Sequence, residues 1–254
     1  MAGSAIIRQL WRYPVKSLGG EQLQQVNVTS AITADREFGV FDAASGKLLS
    51  AKSVPGLLDL QARHRAGETE ILHNHSWLAA TAPEAVAALS AAAGRPVQVR
   101  RAIADVVSAI DMEVDDGDVR AEALTTFETQ PGSLFDSRSP LHLVSEATLQ
   151  SLEADYAAGA GAVQRYRPNL VVDGITALAE DAWVGRTVKL GSVIATVRCK
   201  TERCVLPSRA QRDEVALDRG LLRFLKNQRE FCVGIYLQIE QAGEINVGDQ
   251  LVVT

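Results

Sequence analysis

Cysteine is scarce in this sequence: three residues, Cys199, Cys204 and Cys232, in a chain of 254. A small, odd number argues against a disulfide scaffold and suits a reducing compartment, so a cytoplasmic protein is expected. Three thiols also fall short of the four that usually hold an iron–sulfur cluster. Positive charge is in deficit. Lys plus Arg total 26 against 31 Asp plus Glu, a net charge of −5, so no basic field draws the chain to nucleic acid or to an anionic membrane. Long apolar runs are missing, which excludes a spanning helix. The opening residues, Met1 to Arg8, lack the extended apolar core of a secretion signal. Aromatics make up only 5%, and there are no repeats or low-complexity tracts. What is abundant is aliphatic material: 46% hydrophobic against 22% charged residues is enough for a substantial core.

Alternating or β-branched runs predict strands at 5–11, 23–29, 37–43, 48–50, 70–72, 96–101, 169–172, 187–190, 192–199, 233–239 and 250–253. Helices are predicted at 83–93, with Thr81 as cap and Gly94 as terminator, at 145–157, capped by Ser145, and at 219–227. Many short strands with few helices predict a mainly β, α+β fold containing barrels. The Asp-, Gly- and Thr-rich stretch 114–133 has little periodicity and predicts a joint, dividing the chain into residues 1–125 and 126–254.

Four segments have chemical potential. In Arg198-Cys199-Lys200-Thr201-Glu202-Arg203-Cys204, Cys204 follows a predicted strand and has Arg198, Lys200 and Arg203 nearby. Such cations favour the thiolate, the form that attacks electrophiles and binds metals; an inert, half-buried thiol fits the same local sequence. In Tyr13-Pro14-Val15-Lys16-Ser17, a Lys and a hydroxyl precede Gly19-Gly20, a combination able to hold phosphate although it is not a P-loop. Arg36 is a further candidate cation, or half of a surface ion pair. Arg167 and Asn169 flank Pro168, which fixes the backbone that projects them; Arg offers a rigid fork and Asn a donor–acceptor pair. In Phe135-Asp136-Ser137-Arg138-Ser139, the hydroxyls suit a phosphate or cap the strand that follows. His73 and His75 would share one strand face, where a solvated pair and a metal site are both conceivable.

Taken in order, Tyr13-Pro14-Val15-Lys16-Ser17, Asp35-Arg36, Ser145-Glu146-Ala147, Arg167-Pro168-Asn169, Ala179-Glu180-Asp181-Ala182-Trp183, Arg203-Cys204 and Val247-Gly248-Asp249 resemble the landmarks of the MOSC family. These are the molybdenum-cofactor sulfurase C-terminal domain proteins, including the β-barrel domain found N-terminal to it, and the likeness extends to the amidoxime-reducing members. The resemblance implies an N-terminal β-barrel-like domain packed on a C-terminal MOSC barrel. It implies the molybdenum cofactor, with Cys204 as catalytic residue and metal ligand. It places Lys16, Ser17, Arg36, Ser137, Ser139, Arg167, Asn169 and Arg203 around the pterin and its phosphate. The implied activity is reduction of small N-hydroxylated or N-oxygenated compounds. A sulfur carrier or cofactor carrier without turnover is the alternative.

The sequence departs from the family in places. Thr201 stands where many relatives have the first Cys of a Cys-x-x-Cys, so Cys199 inherits no role. Thr176 stands where some have Asp, which leaves no acid–base residue assigned. The ferredoxin-like domain of certain members is not found, so electrons are expected from a separate ferredoxin-like protein or flavin reductase.

Overall fold

The computed structural model describes residues 5–113, 124–135, 139–156, 159–212 and 215–254. The first strand, β1 (Ala5–Arg12), sends Ala5, Ile7 and Leu10 inward, with a register shift between Ile7 and Gln9. It is followed by β2 (Glu21–Leu23), β3 (Gln25–Val28) and β4 (Phe38–Asp42). A three-stranded meander comes next, β5 (Ala62–Arg65), β6 (Glu68–His73) and β7 (Ser76–Ala79), then α1 (Pro83–Ala93) and β8 (Val97–Arg101), which pairs antiparallel with β4. Gly94 ends α1 in the left-handed conformation, φ 66°, as a helix terminator should. β9 (Ala109–Glu113) and β10 (Leu124–Glu128) form a separate antiparallel pair. One apolar cluster, with Val40, Leu57, Ile71, Leu89 and Val97, joins α1 to β4, β6 and β8.

The second half supplies β11 (Leu141–Ser145), α2 (Glu146–Tyr156), α3 (Val163–Tyr166), β12 (Leu170–Asp173), β13 (Thr187–Leu190), β14 (Val193–Glu202), α4 (Leu221–Arg229), β15 (Cys232–Gln241), β16 (Gly243–Asn246) and β17 (Gln250–Val253). Seven strands close a barrel in the order β12-β11-β15-β14-β13-β17-β1, sealed by antiparallel pairing of β1 with β12. Closure removes free sheet edges. The interior holds Ile7, Leu143, Leu170, Val188, Val197, Ile235 and Leu251, each worth about 1.5–3 kcal/mol on burial. β1 comes from the other end of the chain, and β3 likewise pairs with β16, so the first thirty residues are woven into the second half.

The mainly β, barrel-containing class read from the sequence is the one observed. Individual elements differ. Residues 48–50 are not a strand: Leu48 makes only isolated bridges, to Phe41 and Ile110. The stretch 114–133 contains β10, and β14 runs three residues beyond the predicted end at Cys199. β5, β7, β9 and β16 carry too few alternating residues to signal themselves. Thr81 does not cap α1, whose N-cap is Ala82 with no side-chain bond. Ser145 does cap α2, its Oγ accepting the Thr148 N–H at 3.0 Å. His73 ends β6 while His75 lies in the following turn, so the two do not share a strand face. Among the described residues no group of three or more His, Cys, Asp and Glu side chains gathers to hold a metal.

Candidate functional site

Four chain segments converge on one cleft of about 500 Å³. The first leaves β1 at Tyr13. The Tyr13 N–H donates to Asp35 Oδ1 at 2.7 Å, and the Arg36 N–H donates back to the Tyr13 carbonyl at 2.8 Å. Lys16 N–H to Phe38 O, 2.8 Å, extends this pairing. Residues 13–17 and 35–38 therefore run together, bringing Lys16, Ser17 and Arg36 to the cleft wall. The third segment follows α3, where Arg167 occupies the left-handed C-cap and Asn169 enters β12. The fourth is the loop after β14 that carries Arg203 and Cys204.

Asp35 is the hub. Its buried carboxylate accepts from Tyr13 and Asn169 and forms an ion pair with Arg36. Burial opposes the Arg36 charge most strongly, but the Asp35 carboxylate together with the Tyr13 and Tyr236 phenols outweighs it and raises the Arg36 pKa. Asn169 uses all its polar atoms inside the protein. Its Oδ1 accepts the His142 N–H at 3.2 Å, and Nδ2 donates to Trp11 O at 3.2 Å and to Asp35 Oδ2 at 3.1 Å. The Tyr13 ring is a platform: the Arg167 guanidinium lies 4.2 Å from its centroid and that of Arg36 4.6 Å. Burial pushes the Tyr13 phenol up to about 12 despite those two cations, and its O–H donates to Pro168 O at 3.1 Å.

Cys204 is half-buried and lines the cleft. Its loop is anchored from behind. Arg165, 1% exposed, donates to Pro207 O at 2.7 Å, to Gly159 O at 2.8 Å and to Ala216 O at 3.1 Å. Arg203 donates to Tyr166 O at 2.8 Å, but its buried Nε has no hydrogen-bond partner. All three cysteines are free thiols, so no Cys199–Cys204 disulfide is present. Thr201, in β14 ahead of the Cys204 loop, is fully buried.

Among the described residues the cleft wall carries Lys16, Arg36, Lys52, Arg167, Lys200 and Arg203 against a single carboxylate, Glu202, in a chain of net charge −5. Ser17, Ser50 and Ser139 add hydroxyls. Ser17, Arg36 and Arg167 adopt positive φ, 72°, 50° and 51°. Each such non-glycine residue costs about 1 kcal/mol or more, and strain of this kind collects where the backbone must aim a side chain.

Of the residues singled out in the sequence, Lys16, Ser17, Arg36, Ser139, Arg167, Asn169, Arg203 and Cys204 all line this cleft. Ser137 lies outside the described residues. Sequence reasoning missed Ser50, Lys52, His142 and Tyr236. The run Ser50-Ala51-Lys52-Ser53, a Lys among hydroxyls, was a readable signal for the first two; nothing in the local sequence marks the others. His142 is buried against the tilted Tyr236 ring, 5.5 Å away, and its Nε2–H donates to Val233 O at 3.1 Å. Burial first, then the Arg203 charge, pushes its pKa down to about 3, so it is neutral. Gly234 makes room for the ring: a Cβ there would lie 2.6 Å from His142 Nε2 and 2.4 Å from Leu143 O.

The remaining landmarks are framework. Glu180, fully buried, accepts the Ser145 N–H at 2.9 Å, which ties the 179–183 turn to the start of α2. Gly248, φ 93°, donates its N–H to Ile7 O at 2.8 Å and stitches the β16–β17 turn to β1.

Barrel and cleft together define a β-barrel protein with an anion-receptive, thiol-bearing pocket. Residues 4–127 match the MOSC N-terminal beta barrel domain and residues 130–252 the MOSC domain; the chain belongs to this family. It is 32% identical over 125 residues to mitochondrial amidoxime reducing component 2 of Rattus norvegicus, a stretch covering 44% of this chain and 36% of that protein. Among solved structures, the YUAD protein from Bacillus subtilis overlays with a TM-score of 0.47 at 12% identity, covering 98% of this chain and 95% of that one. YiiM from Geobacillus stearothermophilus gives a TM-score of 0.32 at 18% identity, covering 46% and 54%. MOSC domains are associated with the molybdenum cofactor in general. The residues present fit that group: a soft thiol donor, a surplus of cations and an orphaned Arg203 Nε suit a phosphate-bearing, thiolate-bound metal complex. Among the described residues no helix is long and apolar enough to cross a membrane.

Proposed function

We propose that this protein is a molybdenum-cofactor-dependent reductase of small N-hydroxylated or N-oxygenated compounds, with the Cys204 thiolate as its metal ligand. The observation that carries the proposal is a half-buried thiol opening onto a strongly cationic cleft in an acidic protein. When bound, the cofactor supplies the two-electron redox chemistry. The protein's part is to hold and tune it. Lys16, Ser17 and Ser139 present an ammonium and hydroxyls to the phosphate, and Arg167 offers a planar fork to phosphate or pterin. Arg203 adds a cation to the wall beside Cys204. Arg36 presents its charge from a position fixed by Asp35, and Asn169 acts by holding Asp35. Neutral His142 puts an uncharged wall beside the cations, which lowers local polarity without adding repulsion. Converting an N–OH to an N–H and water consumes two electrons and two protons. The electrons come from a separate donor, a ferredoxin-like protein or flavin reductase.

The test is benzamidoxime turnover with a chemical electron donor, using protein from a cofactor-competent host. Turnover by the parent and none by Cys204→Ala supports a reductase. Bound molybdenum without turnover leaves a carrier instead.

A further inference from the structure

A second cavity, of about 200 Å³, shares only Arg167 with the thiol-bearing cleft. Its lining is chemically different. Among the described residues its lining has four glutamines, Gln22, Gln61, Gln164 and Gln211, and no carboxylate. Trp11 and Tyr13 also line it, their rings 16° from parallel with centroids 6.5 Å apart. Part of the wall is bare because it must be: a Cβ on Gly20 would lie 2.4 Å from Arg12 O and 2.5 Å from the Tyr13 ring. Gly19-Gly20, read in the sequence as part of a phosphate-holding turn, thus lines this cavity instead of the cleft.

One amide in it is unsatisfied. Gln211 Nε2 is buried without a hydrogen-bond partner. Such a group costs about 1–3 kcal/mol. The terminal torsion of Gln is soft, so the amide can turn toward the cavity it lines and meet an acceptor there. An apolar cavity of about 150 Å³ holds benzene, so this one has room for one ring and a small substituent. Aromatic faces call for a planar ring. Glutamine amides pair with a ligand's own carbonyl and N–H groups, and described residues that include Arg167 and Arg212 but no carboxylate do not select for a positive ligand.

We propose that this cavity is a second small-molecule site, which takes a neutral, one-ring heteroaromatic carboxamide. The site stands independently of the molybdenum reading. Because Arg167 belongs to both cavities, its ligand sits against the arginine that faces the cofactor cleft.

The probe is nicotinamide, added to purified full-length protein carrying ¹⁵N-labelled tryptophan. The indole signals of Trp11, Trp77 and Trp183 are followed, with Trp11 assigned through Trp11→Phe. The expected result is a saturable shift of the Trp11 indole alone, with a dissociation constant of about 1 mM or tighter. Gln211→Leu should weaken binding about tenfold, a typical loss for one good hydrogen bond. Gln164→Trp should fill the cavity and abolish binding; Gln22→Trp, at an exposed position, serves the same purpose if the first variant fails to fold. Non-saturating change, equal movement of all three indoles, or wild-type affinity in Gln211→Leu or in a folded filling variant overturns the proposal.

Discussion

Asp35→Ala tests the cleft's architecture without any cofactor. In the parent, the Asp35 side chain is fully buried and that of Arg36 is 15% exposed. Removing the carboxylate leaves the Arg36 guanidinium in place without its counter-charge. Breaking a buried pair in this way costs about 3–5 kcal/mol. The Tyr13 N–H loses its acceptor, and Asn169 Nδ2 keeps only Trp11 O. Each hydrogen bond to a charged group is worth about 1.5–3 kcal/mol, but these losses share one carboxylate and do not add. About 4 kcal/mol is the expected total. For a chain of this size, 1 kcal/mol moves the unfolding midpoint about 2–4 °C, so Tm should fall by about 8–16 °C. Thermal unfolding followed by circular dichroism measures it. The double variant Asp35→Ala/Arg36→Leu removes both charges and should recover part of the loss, because no unpaired cation remains. A fall under about 3 °C in the single variant, or a double variant no better than the single, would refute the hub.

Three further outcomes follow from the geometry. His142 is neutral when folded, with a pKa near 3, whereas an unfolded histidine titrates near 6.5. Above pH 6.5 neither state takes the proton and the group is indifferent. Below it the unfolded state binds the extra proton, so stability falls by about 1.4 kcal/mol per pH unit as pH drops toward 3. Denaturant titrations from pH 7 to 4 should show a slope shallower by one proton in His142→Gln, and identical slopes would contradict the buried neutral ring. Gly234→Ala meets Leu143 O, His142 Nε2 and a φ of 77° together, and should cost more than about 2 kcal/mol by chemical denaturation; a neutral substitution would show that the ring does not sit there. Arg167→Ala removes a cation from the cleft wall and its stacking on Tyr13, and should shorten cofactor retention on dialysis about tenfold or more, read by oxidised-pterin fluorescence. Unchanged retention would remove Arg167 from the cofactor's surroundings.

The barrel class was legible in the sequence because several of its strands announce themselves. Residues 187–190 and 250–253 alternate cleanly and appear at those limits as β13 and β17. The closure of the barrel was not legible. Nothing local in Ala5–Arg12 says that its partners are Asp173 and Leu251, since pairing across most of the chain is a property of the assembled sheet. The cleft was legible as a set of segments, because Pro168, the Lys16-Ser17 pair and the cations around Cys204 each leave a local trace. Internal wiring left none. Asp35 was readable only as the neighbour of Arg36, and its role as hub appears once Tyr13 and Asn169 meet it from two other segments. His142 and Tyr236 sit in strands whose pattern predicts only burial, so their presence at the cleft had to be seen.

Molybdenum content per chain tests the central claim most directly, measured by inductively coupled plasma mass spectrometry on parent, Cys199→Ser and Cys204→Ser proteins expressed in a cofactor-competent host. The parent and Cys199→Ser should each carry close to one metal per chain, with Cys204→Ser close to none while folding normally. A Cys204→Ser protein that keeps its molybdenum, or a parent that never acquires any, would contradict the thiolate anchor.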